Sequence, residues 1–400
     1  MEFRDNGREA DFRATVREFL DAEFPPEQAR RATEWGLFNT AGRYGQDFAE
    51  FMKGWNVKLN KRGWGAPHWP KEYGGGGLSV QEQFVLNEEF AWARAPRSGG
   101  IGHGWAGPTI MVYGTDEQKS DLLPKILSGE HRWCQLFSEP GAGSDLASLQ
   151  TRAVRDGDDY VVNGQKIWTS GAHMSEMGIL VARTDPGAPK HRGISYFLVD
   201  MKTPGVTCRP FPNMLNNNSF NEVFFENARI PAKNRLGDEN RGWYLATTTL
   251  DFERSGIATS VSHQLIVKDL VQFAKDDPGA KARVAANPGL RLELAERAVE
   301  ANVEALICYR IISMQSRGEI PNKESSIAKL YSSELDVRLS VTGMHLAGMD
   351  GQFWDHDDPR AMHGRIPRFY LASTTSPIGG GTSEIQRNII ATRGLALPRG

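Results

Sequence analysis

Between about residue 130 and residue 237 the hydrophobic period of the chain changes, and that change limits what it can fold into. On the N-terminal side, Phe12, Val16, Phe19 and Leu20 recur every three or four positions, the period of a helix buried on one face. Residues 116–127 repeat the pattern, with Thr115 placed as N-cap. Residues 64–78 break it with Pro67, Pro70 and four consecutive glycines, Gly74 through Gly77, which predicts a loop. The middle stretch alternates short β-type runs with turns. Tyr160-Val161-Val162, then Asn163-Gly164, then residues 165–168 predict a hairpin closed by a type I′ turn, because Asn-Gly supplies positive φ. Residues 178–182, 194–199 and 222–225 are further strand candidates. From about residue 241 the helical period returns, and residues 292–312 are long enough for a bundle helix. Residues 276–288, which contain Pro278, Gly279 and Pro288, predict a break between helices. The reading is an α+β chain: an N-terminal helical domain over 1–128, a central β-domain over 129–237 and a C-terminal helical bundle over 238–400.

Several function classes drop out on bulk properties. A net charge of −2 leaves no basic footprint for nucleic acid. No apolar run reaches membrane-spanning length and the mean hydropathy is −0.46, so no membrane segment is expected. The start, Met1-Glu2-Phe3-Arg4-Asp5, lacks the character of a signal peptide. Three scattered cysteines, Cys134, Cys208 and Cys308, suit reduced thiols and a cytoplasmic setting. No CxxC or HExxH spacing calls for a metal, and His356 and His363 in their Asp-rich stretch read as a solvated loop. Residues 99–104 resemble a dinucleotide loop only superficially, because no strand precedes them.

Four segments carry chemistry. Phe137-Ser138-Glu139-Pro140-Gly141-Ala142-Gly143-Ser144-Asp145 clusters backbone N–H groups that suit an anion or carbonyl, or else forms an ordinary turn. Trp168-Thr169-Ser170-Gly171 places a large aromatic before hydroxyls, fit to stack on a planar ligand or to fill a core. Gly379-Gly380-Gly381 precedes a helix start marked by Thr382 or Ser383, with Gln386 spaced for a capping box. Leu250-Asp251-Phe252-Glu253-Arg254 holds a carboxylate that is a solvated ion pair, or a general base if its cleft is apolar.

In this order the segments resemble the acyl-CoA dehydrogenase family over essentially the whole chain. Residues 138–145 are similar to its T-E-P-x-A-G-S-D motif, residues 163–171 to N-G-x-K-x-W, and residues 381–387 to G-T-x-x-I-Q-R. The resemblance implies a helical, β, helical domain order with a C-terminal four-helix bundle, and FAD with its ring against the β-domain. It implies that Ser138 and Ser170 bond the flavin and that Trp168 packs on it. Phe137, Gly143, Ser144, Thr169, Gly381, Thr382 and Glu384 are further cofactor positions on the same match. Ser144, Asp251, Arg254 and Gly379 match substrate positions, and Arg254 also lies beside the reacting atoms.

Two departures refine the expectation. Many members carry the glutamate base where this chain has Gly380; a subset resembles this chain in placing it at Glu253. Glu253 is therefore the expected base and the Gly380 N–H the expected carbonyl donor. The R-x-x-F-G and Q-x-x-G-G segments that clasp the adenosine end of FAD across a subunit interface are replaced by Asp277-Pro278-Gly279-Ala280-Lys281 and His345-Leu346-Ala347-Gly348-Met349. This pattern is similar to actinobacterial dehydrogenases acting on steroid side chains, some of them α2β2 heterotetramers. The expected partners are an acyl-CoA, electron-transferring flavoprotein, and either three further copies or a homologous subunit. The competing functions are a flavin monooxygenase or oxidase on the same fold, and a supporting subunit that only completes a partner's site.

Overall fold

The structure is a computed structural model, and it describes residues 5–25, 27–28, 46–251, 256–355 and 357–398, with only the backbone given at 46–49 and 248–251. The described residues fall into two compact units. One draws on Met1–Asn39, Leu78–Pro96 and Arg254–Gly400, the other on Thr40–Gly77 and Arg97–Glu253.

The second unit is built on a sheet of β1 (Trp133–Leu136), β2 (Arg152–Asp156), β3 (Asp159–Lys166), β4 (Met177–Arg183), β5 (Ile194–Asp200), β6 (Val206–Phe211), β7 (Phe220–Pro231) and β8 (Arg235–Leu236). The order is β6-β7-β3-β2-β4-β5-β8, with β1 parallel to β4. Every residue of β4 is buried, so this strand is apolar on both faces. Ile179, Val181, Tyr196 and Leu198 point to one face, where residues of the helices at Gly107–Tyr113, Asp116–Ser128 and Gly242–Asp251 join the same core. Leu180, Ala182, Phe197 and Val199 form the other core with Tyr160, Val162 and Phe225.

The expected hairpin at Asn163-Gly164 is not there: β3 runs straight through both residues. The turn lies earlier, at Gly157-Asp158, where Gly157 has φ +60°. The Asn-Gly pair instead marks a bulge. Val162 pairs with Ala228 but Gly164 with Phe225, so β7 carries one extra residue, and Asn227 there has φ +51°. Asn163 Oδ1 accepts the Asn227 N–H at 2.8 Å. A Cβ on Gly164 would come within 2.7 Å of Thr151 Cα, so glycine is needed for close backbone approach. Asn-Gly signals positive φ and missing bulk, and a turn is only one use of them.

The first unit is helical: α1 (Gly7–Glu23), then, skipping the helix Gln46–Lys61 of the other unit, Val80–Trp92, Ile257–Asp276, Pro278–Ala286, Pro288–Ser316, Asn322–Ala347, Arg365–Ser373 and Ser383–Ile389. Val16, Phe19 and Leu20 of α1 are buried, as their spacing predicts. The break expected at 276–288 holds a helix of its own. Asp277 Oδ1 caps the Ala280 N–H at 2.7 Å and Asn287 Oδ1 the Gly289 N–H at 3.0 Å, each just before a proline at the first helical position. The prolines mark helix starts here, and the helix between them is a single short piece. Polar pairs sit inside this unit. His263 donates from Nδ1 to Glu304 at 2.6 Å and from Nε2 to Asp336 at 2.9 Å, and all but 1% of its side chain is buried. Asp269 holds both Arg94 and Arg365 at 2.9 Å.

Cys134 and Cys308 are buried free thiols, one in each unit, and burial pushes both up to about 12. No helix among the described residues is long and apolar enough to cross a membrane.

Candidate active site

The loop after β1 is organised by an ion pair. Lys166, the last residue of β3, has no exposed surface, and its Nζ donates to the Phe137 carbonyl at 2.9 Å and to Glu139 Oε1 at 2.8 Å. The same carboxylate accepts the N–H groups of Gln150 at 2.6 Å and Thr151 at 2.9 Å. Burial pushes the Lys166 ammonium down to about 8, with Glu139 opposing. The Glu139 carboxyl is held below its usual range: burial pushes it up, but Lys166 and the bonded N–H groups outweigh that. Glu139 and Ala142 exchange both backbone hydrogen bonds at 3.0 Å, which pinches the loop into a turn. Each charged residue lies in a sequence motif of its own, and nothing in either motif says that the two meet.

This frame brings two of the chemistry-bearing segments together. The Ile167 N–H donates to the Ser138 carbonyl at 2.9 Å, so the loop at 137–143 lies beside Trp168-Thr169-Ser170. Phe137 is buried edge-on to Tyr196, Ser138 is half-buried, and Gly143, Ser144 and Asp145 are exposed. Asp145 pairs with Lys190 at 2.6 Å, which together with Ser148 holds its carboxyl below the usual range. Trp168 stands out. It follows the strand in a left-handed backbone, φ +61°, and its side chain is 58% exposed. Phe211 and Phe220 meet its ring edge-on at 5.4 and 5.7 Å. A left-handed non-glycine residue costs on the order of 1–2 kcal/mol, and here it turns an indole toward solvent instead of into a core. Thr169 is buried; its N–H donates to the Asn221 carbonyl, its carbonyl accepts from Asn221 Nδ2, and its Oγ1 is left without a hydrogen-bond partner. Ser170 is exposed. A braced, outward aromatic beside free hydroxyls fits a flat ring with polar edges.

The glycine run lies in the other unit. Gly380 and Gly381 have φ +67° and +91°. The Gly380 N–H makes no hydrogen bond among the described residues, while its carbonyl accepts Gln386 Nε2 at 3.3 Å. Thr382 is the N-cap and accepts the Ile385 N–H at 3.2 Å. The expected capping box with Gln386 does not form. With Thr382 as cap the third helical position is Ile385, and Gln386 braces the glycine loop instead. Lys329 Nζ donates to the Ser376 carbonyl at 3.1 Å and holds the same turn from behind. Gly379 and Glu384 are exposed, and Glu384 is held below its ordinary range by its own backbone N–H and Thr382. Asp251 ends the helix Gly242–Asp251 with only its backbone described, and Glu253 and Arg254 lie outside the described residues.

Comparisons with known proteins cover the whole chain. Models of the acyl-CoA dehydrogenase N-terminal, middle and C-terminal domains match residues 7–130, 134–228 and 240–395. The acyl-CoA dehydrogenase IpdE1 of Mycobacterium tuberculosis is 37% identical over 394 residues, 97% of this chain and 98% of that protein. FadE34 of the same organism is 39% identical over 349 residues, 86% of this chain but only 46% of its own greater length, so the chain spans about half of that relative. Among solved structures, a complex named Tcur3481-Tcur3483 steroid ACAD aligns over 100% of both chains with a TM-score of 0.84 and 33% identity. The ChsE4-ChsE5 complex of Mycobacterium tuberculosis aligns over 100% of both with a TM-score of 0.81 and 35% identity. The chain belongs to the acyl-CoA dehydrogenase family.

Proposed function

We propose that the chain is an FAD-dependent dehydrogenase that takes the α-proton and the β-hydride from an acyl-CoA thioester and releases the trans-2-enoyl-CoA. The observation that carries this reading is the exposed, strained and braced Trp168 beside Ser170 and the loop of Ser138. FAD, when bound, supplies the hydride acceptor. Phe137, Ser138, Gly143, Trp168, Thr169 and Ser170 hold and orient its ring system, and Gly381, Thr382 and Glu384 are further cofactor positions. Ser144, Asp251, Arg254 and Gly379 bind the substrate. The Gly380 N–H, free of any partner among the described residues, donates to the thioester carbonyl and makes the α-proton more acidic. Glu253 accepts that proton, and Arg254 stands beside it.

The partner is a homologous subunit in an α2β2 assembly. Arg283 supports this. Its Nε donates to the Leu346 carbonyl at 2.7 Å, and a Cβ on Gly348 would meet its side chain at 3.0 Å. The guanidinium therefore fills the corner at 345–349 where related chains clasp adenosine. The two steroid-named or two-component structures aligned above are themselves complexes of two proteins, and the acyl group proposed here is polycyclic. Electron-transferring flavoprotein reoxidises the enzyme, in the cytoplasm.

Anaerobic titration of the purified assembly with acyl-CoA tests the reaction. Bleaching of the flavin band with release of enoyl-CoA is expected, and Glu253→Gln should bind FAD and fail to bleach. Oxygen consumption in place of stable bleaching would make the protein an oxidase. An unbleached wild type holding flavin would make it a supporting subunit.

A further inference from the structure

The Gly379 N–H donates to the Thr375 carbonyl at 3.0 Å and the Ser383 N–H to the Pro377 carbonyl at 2.8 Å, which closes the turn before the helix Ser383–Ile389. Gly380 and Gly381 lie between those donors, both in the left-handed region. Glycine has the freest backbone of any residue, so a donor carried on Gly380 keeps a fixed direction only where something outside the turn holds it. Two side chains reach the turn. Gln386 Nε2 bonds the Gly380 carbonyl at 3.3 Å. From the helix Asn322–Ala347, Lys329 Nζ donates to the Ser376 carbonyl at 3.1 Å, and a Cβ built on Gly380 would stand 3.9 Å from Lys329 Cε. The aliphatic end of the lysine thus lies against Gly380 while its ammonium holds Ser376. Helix, lysine and turn belong to one unit.

The charge of this lysine is not taken up by an ion pair. Lys329 is half-buried, and burial lowers its ammonium below the ordinary range, opposed by Glu334 and Glu384. Glu334 is bonded to Arg387, and Glu384 is exposed on the helix Ser383–Ile389. Among the described residues the ammonium bonds a neutral carbonyl instead. A charged donor makes a hydrogen bond roughly twice as strong as a neutral one. The half-buried cation is therefore placed to fix a backbone.

We propose that Lys329 is a positioning residue for the dehydrogenation: by clamping the Ser376 carbonyl it holds the turn at 376–381 so that the Gly380 N–H meets the thioester carbonyl. Lys329 touches no reacting atom. It acts through Gly380, and what it controls is how far the α-proton of the bound thioester is acidified, more than how tightly the thioester binds. The inference rests on the dehydrogenase reading above.

The test uses the purified assembly with whichever of butyryl-CoA, octanoyl-CoA and a polycyclic acyl-CoA the wild type oxidises best, and with the 3-thia analogue of that thioester. The analogue can lose its α-proton but has no β-hydrogen to give up. Its ionisation is followed as a long-wavelength charge-transfer band with the flavin, titrated against pH. Lys329→Met should lower kcat roughly 10- to 100-fold with KM little changed, because a small misplacement of a donor costs about that much. It should raise the apparent pKa of the bound analogue by about 1 unit, a tenfold change in equilibrium. Flavin content and Tm should stay near the wild-type values, and Lys329→Arg, which keeps a cation, should recover most of kcat. Lys329→Gln, which leaves a polar end in the half-buried site, carries the same expectations and replaces the methionine variant where that one does not fold. An unchanged kcat would overturn the inference and leave the dehydrogenase reading intact. So would a lower kcat with an unshifted analogue, since a lysine that only supports the fold would remove active enzyme without changing the acidity of what the remainder binds. A wild-type assembly that holds flavin yet oxidises none of the three thioesters and ionises none of their analogues would overturn the dehydrogenase reading and this inference with it.

Discussion

Lys166 Nζ stands 2.8 Å from Glu139 Oε1 with its side chain wholly out of solvent, and the pair joins the end of β3 to the loop after β1. Removing one partner of a buried pair leaves an uncompensated charge, at a cost of about 3–5 kcal/mol. Lys166→Met should therefore unfold at markedly lower urea concentration and lose flavin. Adding Glu139→Gln removes the charge and keeps one of the two oxygens that accept the Gln150 and Thr151 N–H groups, and should recover part of the stability. A double variant no better than the single one would mean that the lysine, and not the pairing, matters.

Trp168 makes the opposite prediction. Its left-handed backbone is a local cost of about 1–2 kcal/mol, partly offset by glycine's greater chain entropy when glycine replaces it. Trp168→Gly should leave the flavin-free chain at least as stable as the wild type in thermal unfolding. It should weaken flavin retention about 10-fold, the scale of one aromatic stacking contact. A large fall in the stability of the flavin-free chain would recast the indole as packing.

His263 sets a pH dependence. Burial pushes it down, but its bonds to Asp336 and Glu304 outweigh burial and hold it at about 9, above the ordinary 6.5. The folded state thus binds a proton that the unfolded chain releases first. This contribution, on the order of 3 kcal/mol, is complete below pH 6.5 and lost as pH rises through 9. Lys166, held down at about 8, works in the other direction over part of that range. The useful quantity is therefore the stability difference between wild type and His263→Gln from pH 6 to 9.5, which should shrink with rising pH. A constant difference would show that the histidine does not titrate in that window.

Gly164 supplies a steric prediction. Gly164→Ala would drive a Cβ to 2.7 Å from Thr151 Cα, within the strand that ends at Lys166. A loss of about 1–3 kcal/mol is expected, together with weaker flavin binding, read by chemical denaturation and flavin content.

These residues also show how far the sequence could be read. The α1 stripe, the Thr115 cap and the segment from β4 to β5 follow from period alone, because each element satisfies its own local rule. Asn163-Gly164 and Asp277-Pro278 were misread for the same reason as each other. Each pair states a backbone need, positive φ or a fixed first helical turn, and the need is met by a bulge in one case and a helix start in the other. The Lys166–Glu139 pair and the Lys329 bond to the Ser376 carbonyl were invisible, since they depend on which residues meet across 27 and 47 positions. The placement of Trp168 was half legible: its neighbours in sequence named the segment, but its outward turn is set by φ.

The two deeply buried cysteines have a practical consequence. Cys134 lies in the sheet-bearing unit and Cys308 in the helical one, and each thiol is kept protonated by burial. Neither presents a thiolate to an alkylating reagent until its own surroundings open. Brief exposure to iodoacetamide followed by peptide mass spectrometry would therefore clock each unit separately, so that the chain carries a native pair of stopwatches for deciding which half comes apart first.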